Sequence, residues 1–233
     1  MQQQAVECRF ASSDSWVILS PIEQSIKQKI DTIGTPLKDW NINIYRGVLT
    51  GYNDAFIIST EKRNEILANC QTEDERTRTA ELIRPILRGR DIKRYSYDWA
   101  NLWLINTHNG IKGKIPRIQI ENYPAIKAHL DQYWEKISTR ADKGDTPYNL
   151  RNCAYMEDFS KPKIVWGEIS DKSKFAFDFL GEYIPEATTF YLNGEYIEYL
   201  LTALNSSVSE VTIQNWRIDY HVSFPYLRAK LKT

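Results

Sequence analysis

Short apolar runs with strand spacing and amphipathic helical segments follow one another in an irregular order along this chain. Ile22, Ile26, Ile30 and Ile33 recur at helical intervals, and Gly34 then ends the segment. Strand and helix do not alternate strictly, as they do in proteins built from repeated βαβ units. The pattern therefore predicts an α+β fold with a mixed or antiparallel sheet and packed helices.

The same reading assigns most of the chain to individual elements. It predicts strands over residues 42–45, 55–58, 101–105, 163–166, 174–179 and 188–192. It predicts helices over residues 22–33, 61–69, 74–84, 123–139 and 195–205. Residues 47–53 hold two glycines and an asparagine, which is typical of a bend between two strands. Trp166 alternates with Ile164 and is expected in the core, whereas His129 is expected to be an exposed helix residue.

Length and composition exclude several classes of protein. With 233 residues and 42% hydrophobic residues, the chain is long enough for a real core and is not of a disordered type. Its three cysteines form no CxxC pair, so we expect reduced thiols and a cytoplasmic location. The first residues do not have the pattern of a signal peptide, and no apolar run approaches the ~20 residues that span a bilayer.

The sequence contains none of the motifs that would mark an enzyme. There is no GxxxxGK[ST] or GxGxxG phosphate loop, no GxSxG, and no Asn/Asp-Pro-Pro-aromatic motif of an amino-methyltransferase. The three histidines, His108, His129 and His221, lack metal-ligand spacing to one another or to a cysteine. We therefore predict no catalytic residue, no metal site and no cofactor within this chain.

A basic stretch lies between residues 84 and 94, with five basic residues and one acidic residue. Guanidinium groups suit phosphate oxygens and guanine edges. The alternative is a solvated face, or ion pairs with the acidic residues just upstream. Asp91 is expected to orient one neighbouring arginine and to leave another free for phosphate. The candidate DNA-binding residues here are Arg88, Arg90, Lys93 and Arg94.

A second polar stretch covers residues 140–152 and is predicted to be a loop. Its side chains can donate to and accept from base edges, although an ordinary surface loop has the same composition. The candidates here are Arg140, Lys143, Tyr148, Asn149 and Arg151. The net charge of zero argues against tight independent DNA binding, because phosphate contacts supply much of such affinity.

Several segments carry, in order, a resemblance to one family. They are residues 16–20, 34–40, 44–58, 83–95, 102–105, 123–130, 140–144, 161–166, 185–188 and 200–206. The chain resembles the TaqI-like C-terminal specificity domain of type IIG restriction–modification enzymes and related adenine-specific DNA methyltransferases. Residues 207–233 match no part of this pattern. We leave them unassigned, as a truncated, excised or divergent end.

The resemblance implies that residues 1–206 form a target-recognition domain that reads double-stranded DNA. The catalytic domain of the same system, outside this chain, would bind S-adenosylmethionine, methylate an adenine amino group and, in a cleaving enzyme, use Mg²⁺. The resemblance also adds Thr50, Tyr52, Asn53, Lys161 and Lys163 as candidate DNA contacts. The competing hypothesis is a protein-interaction or scaffold module that derives from such a domain and has lost DNA readout.

Overall fold

The computed structural model describes residues 20–35, 37–170 and 172–207, and these contain seven α-helices and eight strands. In chain order the elements are α1 (Pro21–Ile33), β1 (Ile42–Arg46), α2 (Asn53–Phe56), β2 (Ile57–Ser59), α3 (Thr60–Ala68), α4 (Glu73–Leu82), β3 (Ile83–Leu87), β4 (Leu102–Ile105), α5 (Pro124–Asp131), α6 (Trp134–Thr139), β5 (Lys163–Gly167), β6 (Phe175–Asp178), β7 (Ile184–Pro185), β8 (Thr189–Gly194) and α7 (Ile197–Leu204). His221 and the candidate end segment 208–233 lie outside the described residues.

The strands form two four-stranded sheets. The first sheet has the order β1–β8–β5–β6 and is antiparallel throughout. The second has the order β2–β4–β3–β7, with antiparallel pairs except for the parallel pair β3–β7. Helices pack against both sheets without a repeated βαβ unit, so the predicted α+β class with mixed and antiparallel sheets is confirmed.

The first sheet is covered on both faces. Ile44 pairs with Leu192, which pairs with Ile164, and these side chains face the smaller core together with α7. Their neighbours Tyr45 and Tyr191 point to the opposite face and join the main core, because successive strand residues alternate between faces. The five residues of β5 are all buried, as a strand covered on both faces requires.

Local signals place the ends of two helices. In α1, the Ser20 hydroxyl accepts from the backbone N–H of Glu23, and the Glu23 carboxylate accepts from the backbone N–H of Ser20. Pro21 occupies the first turn, where its missing N–H is not needed. In α4, Thr72 caps in the same way by accepting from the N–H of Glu75. Among the described residues, no helix is long and apolar enough to cross a membrane.

Some predicted elements differ from the observed ones. Residues 55–58, predicted as a strand, divide between the end of α2 and the start of β2. The single helix predicted over residues 123–139 is two helices, because the N–H groups of Gln132 and Tyr133 bond to carbonyls three residues back instead of four. Pro85 lies inside β3, a strand the sequence pattern did not predict, and pairing with β7 begins only at Ile86.

The prediction that His129 is exposed is wrong. His129 lies on the face of α5 that also carries Ala125 and Ile126, and 4% of its surface is exposed. Its Nε2 lies 3.0 Å from the carbonyl oxygen of Ala55 and donates to it, and burial lowers the pKa of the ring. The prediction that Trp166 belongs to the core is confirmed, with 5% exposure.

Candidate functional site

The turn at residues 50–53, which follows β1, packs against the loop around Asp142, which is distant in the sequence. Gly51 has a φ of +70°, a left-handed conformation that favours glycine. A Cβ atom at this position would lie 2.6 Å from the carbonyl oxygen of Asp142, so only glycine permits this approach. Thr50 is buried, and its hydroxyl donates to the Asn53 side-chain oxygen over 2.5 Å. The turn and the loop around Asp142 therefore form one surface.

Arg140 holds the loop around Asp142 from the inside. Only 7% of its surface is exposed, and its guanidinium lies 4.4 Å from the ring centroid of Phe56. Its nitrogens donate to the carbonyl oxygens of Asp142 at 3.0 Å, Pro147 at 2.7 Å and Asn149 at 2.6 Å. Burial lowers the pKa of Arg140 to about 10, so the group stays charged at pH 7. Arg140 thus shapes the loop and has no nitrogen directed at a ligand.

Asn149 joins the same loop to a third segment. It is 1% exposed, and its amide nitrogen donates to the carbonyl oxygen of Ile118 over 2.9 Å. Its side-chain oxygen accepts from the Thr146 hydroxyl at 2.6 Å. Like Arg140, Asn149 forms its side-chain hydrogen bonds within the protein. It is buried and is not placed to read bases.

Asn109, which the sequence reasoning missed, extends this connection to the surface. Its amide nitrogen donates to Asp145 over 3.0 Å and also to Asn152. Asp145 in turn lies 3.3 Å from Arg117. The signal that could have found Asn109 is the Asn-Gly pair at residues 109–110, which marks a tight turn. We call residues 50–53, 106–118 and 140–152 together the loop cluster.

Three predicted contacts lie exposed on the loop cluster. The amide nitrogen of Asn53 has no hydrogen-bond partner within residues 20–35, 37–170 and 172–207. Arg151 keeps one nitrogen 3.3 Å from Asp142, and 56% of its side chain is exposed. The Lys143 ammonium donates to the carbonyl oxygen of Ser138 over 2.6 Å. These groups can turn towards a ligand without breaking the loop's internal support.

Two predicted tyrosines are half-buried at the side of the cluster. The Tyr52 ring lies 6.1 Å from that of Tyr133. The Tyr148 hydroxyl donates to Asp131 over 2.6 Å, and its ring lies 5.4 Å from the ring of Trp134. Burial and the Asp131 carboxylate raise the pKa of Tyr148. Both rings therefore act first as packing groups.

The basic segment, residues 88–94, is organised by Asp91. The Asp91 carboxylate is buried and accepts from the Arg88 guanidinium at 2.9 and 2.7 Å and from the Arg88 backbone N–H at 3.1 Å. Hydrogen bonding to Asp91 raises the pKa of Arg88. Arg90 is exposed and has no ionic partner in the described part of the chain. The expected division, with one arginine oriented by Asp91 and another left free, is what the structure shows.

Lys93 and Arg94, the remaining two cations of the basic segment, have no buried ion-pair partner among the described residues. Lys93 lies 3.8 Å from Asp98, with half of its side chain exposed. Arg94 donates to the carbonyl oxygen of Asn205 over 2.6 Å and lies 5.5 Å from the ring centroid of Tyr95. Arg90 and Lys93 are thus the two side chains of the segment most available to an anionic ligand.

The basic segment and the chain just after β1 both lie near Glu186. Val48, two residues before Thr50, forms a parallel bridge with Glu186. The charge of Glu186 also contributes to the raised pKa of Arg88. Both therefore lie beside the segment between β7 and β8. Among the described residues, no side-chain hydrogen bond or ion pair joins one to the other.

The two predicted lysines near β5 differ in burial. Lys163 is fully buried, and its ammonium donates to Asp178 at 2.5 Å and to the carbonyl oxygen of Phe159 at 2.7 Å. Burial lowers the pKa of Lys163, and the charge of Asp178 opposes that shift. Lys163 is therefore an internal ion-pair residue and cannot reach a phosphate. Lys161 is exposed and pairs with Asp158.

The residues described offer no donor set for a metal. No group of three or more His, Cys, Asp or Glu side chains converges within them.

Comparison with known proteins finds a matching family model and similar solved structures. The model of the family "TaqI-like C-terminal specificity domain" matches residues 84–232, which include the basic segment and residues 140–152. Among solved structures, the chain is similar to the type IIL restriction–modification enzyme MmeI in complex with DNA, at 13% identity and a TM-score of 0.51. The likeness covers 74% of this chain and 22% of that chain, and it concerns the fold alone. No curated protein sequence matches the chain.

Proposed function

Because the chain belongs to the TaqI-like C-terminal specificity domain family, we propose that it recognises a double-stranded DNA sequence on behalf of a restriction–modification enzyme. In this proposal the parent is of type IIG and methylates adenine, and it works in the cytoplasm. Its catalytic domain, with S-adenosylmethionine and any Mg²⁺, lies outside these 233 residues. The chain itself performs no chemistry.

The observation that carries the proposal is the construction of the loop cluster. Arg140 and Asn149 are buried and hold three loops in one arrangement, while Asn53, Arg151 and Asn152 remain at its surface. Base readout needs donors and acceptors in fixed positions, because each hydrogen bond depends on geometry within a fraction of an ångström. A rigid support beneath exposed Asn and Arg side chains supplies such positions.

The candidate residues divide by role in this proposal. Asn and Arg side chains pair with adenine and guanine edges, so we assign Asn53 and Arg151 to base contacts. Exposed cations contact phosphates and carry no sequence information themselves. We assign this role to Arg90, Lys93, Arg94, Lys143 and Lys161. Arg88, Thr50, Arg140, Asn149 and Lys163 are left out, because their polar groups are engaged within the protein.

The experiment is selection of duplexes from a randomised pool by the 233-residue chain at low salt, followed by sequencing. We expect one short motif to be enriched, and we expect the Arg151→Ala variant to change it at one base pair. The matched control is Arg76→Ala, an exposed and ion-paired arginine on α4, which should leave the motif unchanged. A pool that shows no enriched motif over several rounds would contradict the proposal.

A further inference from the structure

Three aromatic side chains cluster at the end of the first sheet where β1 begins. Trp40 lies just before β1, Tyr196 caps α7, and Tyr199 lies in the first turn of α7. Tyr196 is 72% exposed and Tyr199 is 66% exposed. Large aromatic rings this exposed leave apolar area in water, and grouped rings of this kind mark interaction sites.

The rings border an open, shallow groove of about 510 Å³, which we call the aromatic groove; it is lined by Thr35, Asp39, Trp40, Asn41, Tyr196 and Tyr199. The planes of Trp40 and Tyr199 lie 8° apart with centroids separated by 6.3 Å. The plane of Tyr196 stands at 87° to Trp40, with centroids 6.5 Å apart. Trp40 and Tyr199 are therefore parallel, Tyr196 is perpendicular to Trp40, and all three rings border the aromatic groove.

Backbone contacts hold this arrangement in place. The Trp40 indole N–H donates to the carbonyl oxygen of Thr35 over 3.1 Å, which fixes the ring. Asn41 donates to the Glu195 carboxylate at 2.9 Å and accepts from the Glu195 backbone N–H at 3.1 Å. Tyr196 has a φ of +57°, a left-handed conformation that is costly for a non-glycine residue and recurs at binding sites. Trp40 also packs against the smaller core, so the ring at the base of the cluster is fixed while Tyr196 and Tyr199 stay exposed.

Among the side chains that the structure describes at and beside the aromatic groove, the charged ones are acidic. Of the described residues that line it, the one charged side chain is Asp39. Glu195 and Glu198 flank Tyr196 in the chain, and Glu198 offsets the partial positive charge of the N–H groups at the start of α7. Aromatic faces carry negative electrostatic potential of their own. The groove therefore favours a cation and disfavours a phosphate.

We propose that the aromatic groove binds an arginine or lysine side chain of a protein partner. Such a cation would lie against the ring faces and near the Asp39 carboxylate. The five-residue strand β1, about 17 Å long, separates the groove from the turn at residues 50–53. Its position sets it apart from the turn at residues 50–53 and its charge from the basic segment, and the inference does not depend on the DNA-binding proposal.

The test is titration of the whole chain, labelled with 5-fluorotryptophan, and followed by ¹⁹F NMR. The Trp40 resonance is assigned by its loss in Trp40→Phe. The probes are blocked arginine and blocked lysine amides, and the neutral comparison is blocked citrulline, which has nearly the shape of arginine. We expect the cations to shift the Trp40 resonance saturably and citrulline to bind about two- to fivefold more weakly.

Variants distinguish a specific cation site from a surface that binds small molecules non-specifically. Tyr196→Ala and Tyr199→Ala should abolish the shift, whereas Tyr199→Phe should retain it because the ring face remains. Phe179→Ala removes another exposed ring, 61% exposed, and should have no effect. Unchanged resonances of the other tryptophans show that each variant is folded. The proposal is overturned by equal binding of citrulline, by no saturable shift, or by stronger binding of a mononucleotide than of the blocked amino acids.

Discussion

The loop at residues 140–152 and the basic segment at residues 88–94 are similar in composition but differ in which of their polar side chains are buried. Both are polar and rich in arginine. In the loop, Arg140 and Asn149 are buried and satisfy main-chain carbonyls. In the basic segment, Asp91 engages only Arg88 and leaves Arg90 in solvent. Polarity in a sequence therefore does not distinguish a group that builds a surface from one that is displayed on it.

The largest expected effect is that of Arg140→Ala on stability. Loss of this guanidinium leaves the carbonyl oxygens of Asp142 and Pro147 without a donor and removes one of the two donors to that of Asn149, so we expect a loss of roughly 3 kcal/mol in the free energy of unfolding. Urea denaturation measures it. Arg151→Ala is the control and should cost less than about 0.5 kcal/mol. A cost below about 1 kcal/mol for Arg140→Ala would show that the loop does not rely on it.

Asp91→Ala tests the corresponding support in the basic segment. Removing the carboxylate frees Arg88 and deletes three hydrogen bonds, two of them between charged groups, so a loss of about 2 kcal/mol is expected. The same denaturation experiment applies, with Asp98→Ala as an exposed control. Equal stability of the two variants would mean that the buried pair contributes no more than a surface charge.

Arg151→Ala tests readout by the loop cluster. A bidentate contact with a base edge contributes ~1–3 kcal/mol of discrimination, so the variant should lose at least about 1 kcal/mol between the preferred and a singly mismatched duplex. Fluorescence anisotropy with both duplexes gives the difference. Asn53→Ala is its counterpart on the turn at residues 50–53. If neither variant alters discrimination, the base-reading surface lies elsewhere.

The smallest effect is expected for the pair Arg90→Ala and Lys93→Ala. Stability should change by less than about 0.5 kcal/mol, because both side chains are exposed. DNA affinity should fall to a similar extent for all sequences, and the slope of log affinity against log salt should decrease by about 1 for each phosphate that the variant no longer neutralises. A change in the preferred sequence, with no change in the salt slope, would place these residues against bases.

Much of the fold could be predicted from periodic patterns in the sequence. Helix α1 begins at the Ser20 cap and ends before Gly34, and the buried strand β5 coincides with an apolar run. Strand β3 was not predicted because it contains Pro85, which is rare within sheets, and its pairing partners lie far away in the chain. His129 was misjudged because its burial depends on packing against Ala55, a contact between residues 74 positions apart.

The candidate site could be predicted only as a set of residue types. Arg140 and Arg151 are eleven residues apart, yet one is buried and the other exposed. No local pattern distinguishes them, because their positions depend on the contact between Gly51 and the loop around Asp142. The burial of Lys163 could not be predicted from the local sequence either, because its buried ion-pair partner, Asp178, lies on the neighbouring strand.

The internal anchoring by Arg140 has a consequence for how such a module diversifies. Because the guanidinium fixes the course of the main chain, positions 53, 151 and 152 can exchange side chains at the cost of no more than the hydrogen bonds that Asn53 accepts from Thr50 and Asn152 accepts from Asn109 and the ion pair of Arg151 with Asp142. A new combination at these positions would then be tolerated by folding and tested only by binding. A library randomised there, with Arg140 retained, should yield mostly folded proteins and a varied repertoire of preferred sequences.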